Sequence, residues 1–399
     1  MKVTITPNDK RTGTLKAPPS KSMAHRYLIC AGLAEGTSVI SNIAASEDIL
    51  ATMDCLRALG AEISYSPEDM TAEVKGTDPS TRGETLMQCR ESGSTLRFMI
   101  PICALSDQTA VLSGKGRLMQ RPLTVYEDLF EAQGISFDRS DSSITIKGSL
   151  KGGEYKVPGD ISSQFVSGLL FALPICGEES LIRLEGNIES RPYIDMTIKA
   201  LKEHGIDVGW KNETDLAVSG AHRYVAADTM VEGDWSNAAN LMALGARVTG
   251  VDPESLQGDR VCDRYFGLLE KDRAELDISD CPDLGPVLMA YAALNHGAVL
   301  RGTRRLKFKE SDRGNVMKEE LAKFDVDVDV CDDSITVGCG VKAPTETLSG
   351  HNDHRIVMAL AAICTRTGGT IDGAEAVSKS FPDYFERMRD LGIEIRKEI

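Results

Sequence analysis

SKSMAHRYLICAGL, residues 20 to 33, places three polar side chains at the start of an otherwise apolar stretch. Pro18 and Pro19 hold the preceding chain extended, Ser20 can cap a helix, and Met23, Tyr27 and Leu28 fall at helical spacing. A helix N-terminus offers unpaired N–H groups and the positive end of a dipole, so it attracts anions. Lys21, Ser22 and Arg26 add an ammonium, a hydroxyl and a guanidinium to that end.

The same arrangement recurs along the chain. SGSTLRFMIPICAL, SSQFVSGLLFALPI, WSNAANLMALGA, DLGPVLMAYAALNHG and NDHRIVMALAAICT each begin with a capping-type residue and continue as a short, almost wholly apolar helix. Helices apolar all round are buried. Most are followed by a strand such as TSVIS, TAVLSG, SLIRLEG, AVLRG or GTIDG. An amphipathic helix comes next, as in SEDILATMDCLRALG, RPLTVYEDLFEAQG, RPYIDMTIKALKEHG, SDRGNVMKEELAKF and FPDYFERMRDLG, and then another strand. The fourth unit, around Ser255 to Ile278, is blurred. Six copies at roughly seventy-residue spacing form an internal repeat. They divide into two α/β domains of three, residues 20–227 and residues 1–19 plus 228–399, with crossings near Pro19 and Ala227.

Composition narrows the function. The 399 residues are 42% hydrophobic and 26% charged, as in ordinary globular proteins. A net charge of −15 argues against general binding of nucleic acid or anionic membranes, but not against an anionic small substrate held by local cations. No apolar run is long enough to span a bilayer, and MKVTITP reads as a strand rather than a targeting peptide. The ten cysteines form no CxxC pair and sit mostly in apolar runs, which suits reduced thiols in the cytoplasm. His351 and His354 alone do not make a metal site.

Polar residues gather at the starts of the apolar helices: Lys21, Ser22, Arg26, Gly93, Arg97, Ser162, Ser163, Gln164, Asp283, His354 and Arg355. Others lie in loops before the amphipathic helices: Arg117, Arg121, Ser190, Tyr193, Lys307, Lys309, Glu310, Asp312, Arg313 and Lys379. Singly, each has a plainer explanation: a Ser or Asp before an apolar run is usually a cap, and loop cations are usually solvated. Recurrence at one place in the repeat favours a shared cleft for substrates bearing phosphates and carboxylates.

PPSKSMAHR, the SGST segment, Arg121–Pro122, PGDISSQF, SRPYIDMT, VEGDWSNAA, KESDR, NDHR and KSFPDYF together resemble the 5-enolpyruvylshikimate-3-phosphate synthase family, in order and over nearly the whole chain. The resemblance implies two domains of three βαβαββ units each, an inside-out α/β barrel with its active site in the interdomain cleft. It implies transfer of the enolpyruvyl group of phosphoenolpyruvate to the 5-hydroxyl of shikimate 3-phosphate, with release of phosphate. Carried over by position, Lys21, Ser22, Arg26, Ser162, Ser163, Gln164, Ser190, Tyr193, Asp283 and Lys309 would hold shikimate 3-phosphate. Lys21, Gly93, Arg121, Gln164, Arg313, Arg355 and Lys379 would hold phosphoenolpyruvate. Lys21, Asp283 and Glu310 would be catalytic, with Asp283 serving the hydroxyl and Glu310 serving C3. No metal, organic cofactor, nucleic acid or membrane is implied, and a monomer is.

Glu91, Ser94, Lys115–Gly116 and Arg305 depart from the family's usual residues. The sister transferase acting on UDP-N-acetylglucosamine is the nearest rival, but its loop cysteine has no counterpart in GKGRLMQRP. A phosphometabolite sensor would need the cations but not the proton-carrying carboxylates. A nucleic-acid binder would conflict with the net charge and would want aromatic platforms.

Overall fold

Ser20 starts the first helix, Lys21–Gly32, by accepting a hydrogen bond from Met23 N. The computed structural model describes residues 1–8, 11–220 and 222–398. Five of the six apolar segments begin in this way, with Ser20, Ser92, Ser162, Asp234 and Asp353 as side-chain caps. The fifth, Gly285–Leu294, departs from the expectation: Leu284 precedes it and no side chain caps it. Pro286 lacks an N–H, which removes one donor that a cap would serve. Asp283 is thereby left for other partners.

The chain divides into two compact units, Pro19–Glu232 and Met1–Pro18 with Gly233–Ile399. Each has its own hydrophobic core. In the first unit the helices Lys21–Gly32, Gly93–Cys103 and Ser163–Ala172 are buried nearly throughout. In the second the same holds for Trp235–Ala243, Gly285–Leu294 and His354–Thr367.

Four of the six buried helices join two parallel strands of one sheet, as such a crossover requires. Thr85–Gln88 pairs in parallel with Ala110–Ser113 across the Gly93 helix, and an antiparallel hairpin, Ser136–Arg139 with Ser143–Lys147, completes a four-stranded sheet. Gly153–Pro158 with Ser180–Glu185, and Ala274–Asp277 with Ala298–Arg301, repeat the plan. Three sheets recruit distant strands, one of them the sheet of Thr14–Lys16 with Arg247–Thr249. Thr229–Met230 supplies the parallel edge of the first repeat, beside Thr37–Ser41. Lys2–Ile5 enters the last sheet between Gly369–Asp372 and Ile395–Glu398.

The blurred fourth repeat has a structural cause. Its sheet is only two-stranded, Thr14–Lys16 beside Arg247–Thr249. After its second helix, Cys262–Leu269, the chain passes directly into Ala274–Asp277, which belongs to the next sheet. Among the described residues the fourth repeat therefore has no closing hairpin, and the alternating pattern that would announce one is missing.

Candidate active site

In the first unit, three helix starts are linked to one another by polar contacts. Gln164, on the third helix, accepts from Arg97 Nη1 at 2.7 Å and donates to Ser94 Oγ at 2.8 Å, both on the second. Gly93 lies against Arg121: a β-carbon there would stand 2.4 Å from Arg121 Nη1, so the bare backbone is what admits the guanidinium. Lys21 Nζ pairs with Asp48 Oδ2 at 2.8 Å, and the Asp48 carbonyl accepts from Thr95 Oγ1 on the second helix at 3.4 Å.

Arg26 is almost fully buried and faces protein rather than solvent. It donates to Thr197 Oγ1 at 2.9 Å, to the Ser22 carbonyl at 2.6 Å and to the Tyr193 carbonyl at 2.8 Å. Burial pushes its guanidinium down to about 10, against smaller opposing effects of Tyr193 and Cys30. Arg26 thus ties the first helix to the helix Arg191–Glu203, which carries Tyr193 and Thr197 and begins after Ser190. Ser190 itself is buried and left-handed, with φ +57°, at the N-cap of the helix Arg191–Glu203. Ser162 caps the third helix through Gln164 N, and Ser163 is buried beside it.

In the second unit the sequence candidates meet around one guanidinium. Arg313, 1% exposed, donates through Nη1 to Asp283 Oδ1 at 2.9 Å and through Nη2 to Glu310 Oε2 at 2.8 Å. Its Nε donates to Asp353 Oδ2 at 2.9 Å. Lys309 Nζ shares Asp283 Oδ1 at 3.0 Å. Burial by itself would raise the Asp283 carboxyl, but Lys309, Arg313 and Arg355 outweigh it and hold the group well below the ordinary carboxylate range. Burial depresses Lys309, and Asp283 only partly offsets this. Arg355 donates to Asn237 Oδ1 at 3.0 Å, and Lys379 donates to the Asn352 carbonyl at 2.7 Å.

Each unit therefore gathers its own candidates. Sequence reasoning missed Asp48, Asn237 and Asp353 as partners of the cations. Asp353 was visible only as a cap-type residue in NDHR, and its bond to Arg313 spans 40 positions. Arg305, a departure from the family pattern, turns its guanidinium to the Ser279 carbonyl.

A family model described as EPSP synthase (3-phosphoshikimate 1-carboxyvinyltransferase) matches residues 5–265 and 261–388. The chain belongs to this family. A Clostridium kluyveri 3-phosphoshikimate 1-carboxyvinyltransferase is 38% identical over 419 residues, covering 98% of both chains. One from Clostridium perfringens strain 13 is 38% identical over 429 residues and covers both chains fully. The solved EPSP synthase of Acinetobacter baumannii superposes with a TM-score of 0.80 over 100% of both chains at 22% identity, a likeness of fold. The mixed α/β EPSP synthase fold, with repeated four-stranded sheets and buried helices, is thus common to this chain and that structure. No helix among the described residues is long and apolar enough to cross a membrane.

Proposed function

We propose that the two residue sets divide one reaction between them. The chain is a 3-phosphoshikimate 1-carboxyvinyltransferase of the shikimate pathway, moving the enolpyruvyl group of phosphoenolpyruvate to the 5-hydroxyl of shikimate 3-phosphate and releasing phosphate. The observation that carries the assignment of roles is the ring of Asp283, Glu310 and Asp353 around Arg313.

In the addition step the 5-hydroxyl oxygen bonds to C2 of phosphoenolpyruvate. Asp283 takes the hydroxyl proton while Glu310 delivers one to C3. In the elimination step Glu310, now a carboxylate, takes a proton back from C3, the double bond re-forms and phosphate departs from C2. Lys21 lies near the bridging and leaving oxygens and stabilises the charge that grows there. Ser22, Arg26, Ser162, Ser163, Gln164, Ser190, Tyr193 and Lys309 hold shikimate 3-phosphate, Arg26 by fixing the start of the helix that carries Tyr193. Gly93, Arg121, Gln164, Arg313, Arg355 and Lys379 hold phosphoenolpyruvate.

Arg313 makes binding and chemistry interdependent. A substrate anion that takes the Nη1 and Nη2 edge displaces Asp283 and Glu310 from it. Both carboxylates then lose a cation and become better bases. Asp353, on Nε, keeps the guanidinium in place meanwhile. The two units act as three-repeat domains that close on a shared cleft and exclude water, and the protein works as a cytoplasmic monomer. Ten free cysteines support a reducing compartment. The proton carriers and cations are all side chains, so the reaction needs no metal or organic cofactor.

Glu310→Gln tests the division of roles. The variant keeps the shape and the Arg313 contact but cannot cycle a proton. It should bind both substrates near normally and lose at least about a hundredfold in kcat. Turnover close to the parent's would remove Glu310 from the chemistry.

A further inference from the structure

We propose that Glu320, with His351 and Lys323, is a positioning group that sets Lys379, Arg355 and Arg313 for phosphoenolpyruvate. The proposal rests on the assignment of those three cations made above. Glu320 lies seven residues after Arg313, two turns along the same helix and therefore on the same face. Its side chain is wholly buried, which for a carboxylate requires full pairing.

The pairing is complete and asymmetric. Oε1 accepts from Lys323 Nζ at 2.9 Å and from His351 Nε2 at 2.8 Å. Oε2 accepts from Lys323 Nζ at 3.0 Å and from Ser349 N at 3.0 Å. Glu319 lies within reach as well, so the group has the outline of a metal site. Lys323, on both Glu320 oxygens, already supplies the positive charge that an ion would bring. The cluster is a clamp on the segment from Ser349 to His351.

That segment is held in an unfavourable conformation. His351 and Asn352 are consecutive non-glycine residues with φ +47° and +52°. Such residues persist only where their surroundings over-determine them. Ser349 Oγ also accepts from His351 N at 3.2 Å. The payoff lies immediately downstream. The Asn352 carbonyl receives Lys379 Nζ, while Asp353 caps the helix through Arg355 N at 2.9 Å and grips Arg313 through Nε. One buried carboxylate thus fixes a two-residue kink whose far side presents three cations.

Steady-state kinetics with each substrate varied in turn test this, on the full-length chain. In Glu320→Gln an amide N–H must face Lys323, His351 or Ser349 N, donor against donor. In His351→Ala one tie is lost at a partly exposed position where folding is little threatened. Both variants should raise the KM for phosphoenolpyruvate roughly tenfold and leave that for shikimate 3-phosphate within about twofold. His351→Gln, which can still donate to Glu320, should recover most of the loss. An equal rise in both KM values, or unchanged KM values with only a lower melting temperature, would overturn the positioning role. Lys379→Met serves as the reference. If it raises the phosphoenolpyruvate KM while Glu320→Gln and His351→Ala do not, the positioning role alone fails. If Lys379→Met leaves that KM unchanged, the assignment of the cations fails and takes the positioning role with it.

Discussion

Lys21 and Arg26 share the first turns of their helix with His25, and the three cannot all be charged cheaply. His25 is completely buried, with Nδ1 at 2.7 Å from Thr52 Oγ1. Burial first, then Lys21 and Arg26, holds its imidazole well below the ordinary 6.5. His204 in the same unit is lowered too, by burial above all. A histidine kept neutral by the fold binds its proton more readily when unfolded. Its contribution is complete above pH 6.5 and is lost as the pH falls towards the folded value, at up to roughly 1.4 kcal/mol per pH unit. Urea denaturation should therefore show the parent losing stability between pH 7 and pH 5.5, and His25→Gln losing less over that interval. The same loss in both proteins would mean that His25 is not the group responsible. At this scale the sequence was informative about cations and weak on their partners. Lys21, Arg313 and Lys379 stand in motifs, whereas Asp48 and Asn237 act across distances of 27 and 118 positions.

Between elements, the contact of the Gly93 and Ser163 helices decides whether their polar starts align. Gly168 makes the close approach possible. A β-carbon there would lie 2.2 Å from Tyr126 Oη and 2.6 Å from the Arg97 carbonyl. Tyr126 in turn donates to the carbonyls of Arg97 and Phe165, at 2.8 and 3.2 Å, tying both helices. Gly168→Ala should cost about 2 kcal/mol through overpacking against backbone, lowering the melting temperature by several degrees. Gly83→Ala, where a β-carbon would meet nothing within 4 Å, is the control. Equal melting temperatures for the two variants would contradict this packing. The buried helices were legible in the sequence because small apolar residues recur without a polar face. Glu320 was not: KEEL in an amphipathic helix looks solvated, and Glu319 beside it is indeed exposed. Burial of Glu320 depends on a loop some 30 residues away, which no local pattern reports.

For the whole molecule, a net charge of −15 coexists with cations concentrated at helix starts and the loops beside them. The repeat explains how: each unit builds the same helix start several times, and each start can hold one anionic group. Repeat number and the succession of helices and strands along the chain were readable because the pattern recurs, and it faded in the fourth copy, where the closing hairpin is missing from the described residues. The borrowed strands Thr229–Met230 and Lys2–Ile5 were harder to place, since pairing partners far apart in sequence leave no periodic trace. Acceptor choice, on which the proposed activity turns, is tested on the whole protein. The most direct measurement is phosphate release by the purified protein from phosphoenolpyruvate, with shikimate 3-phosphate or UDP-N-acetylglucosamine as acceptor. Release with shikimate 3-phosphate alone is the predicted result; release only with the nucleotide sugar, or with neither, would contradict it.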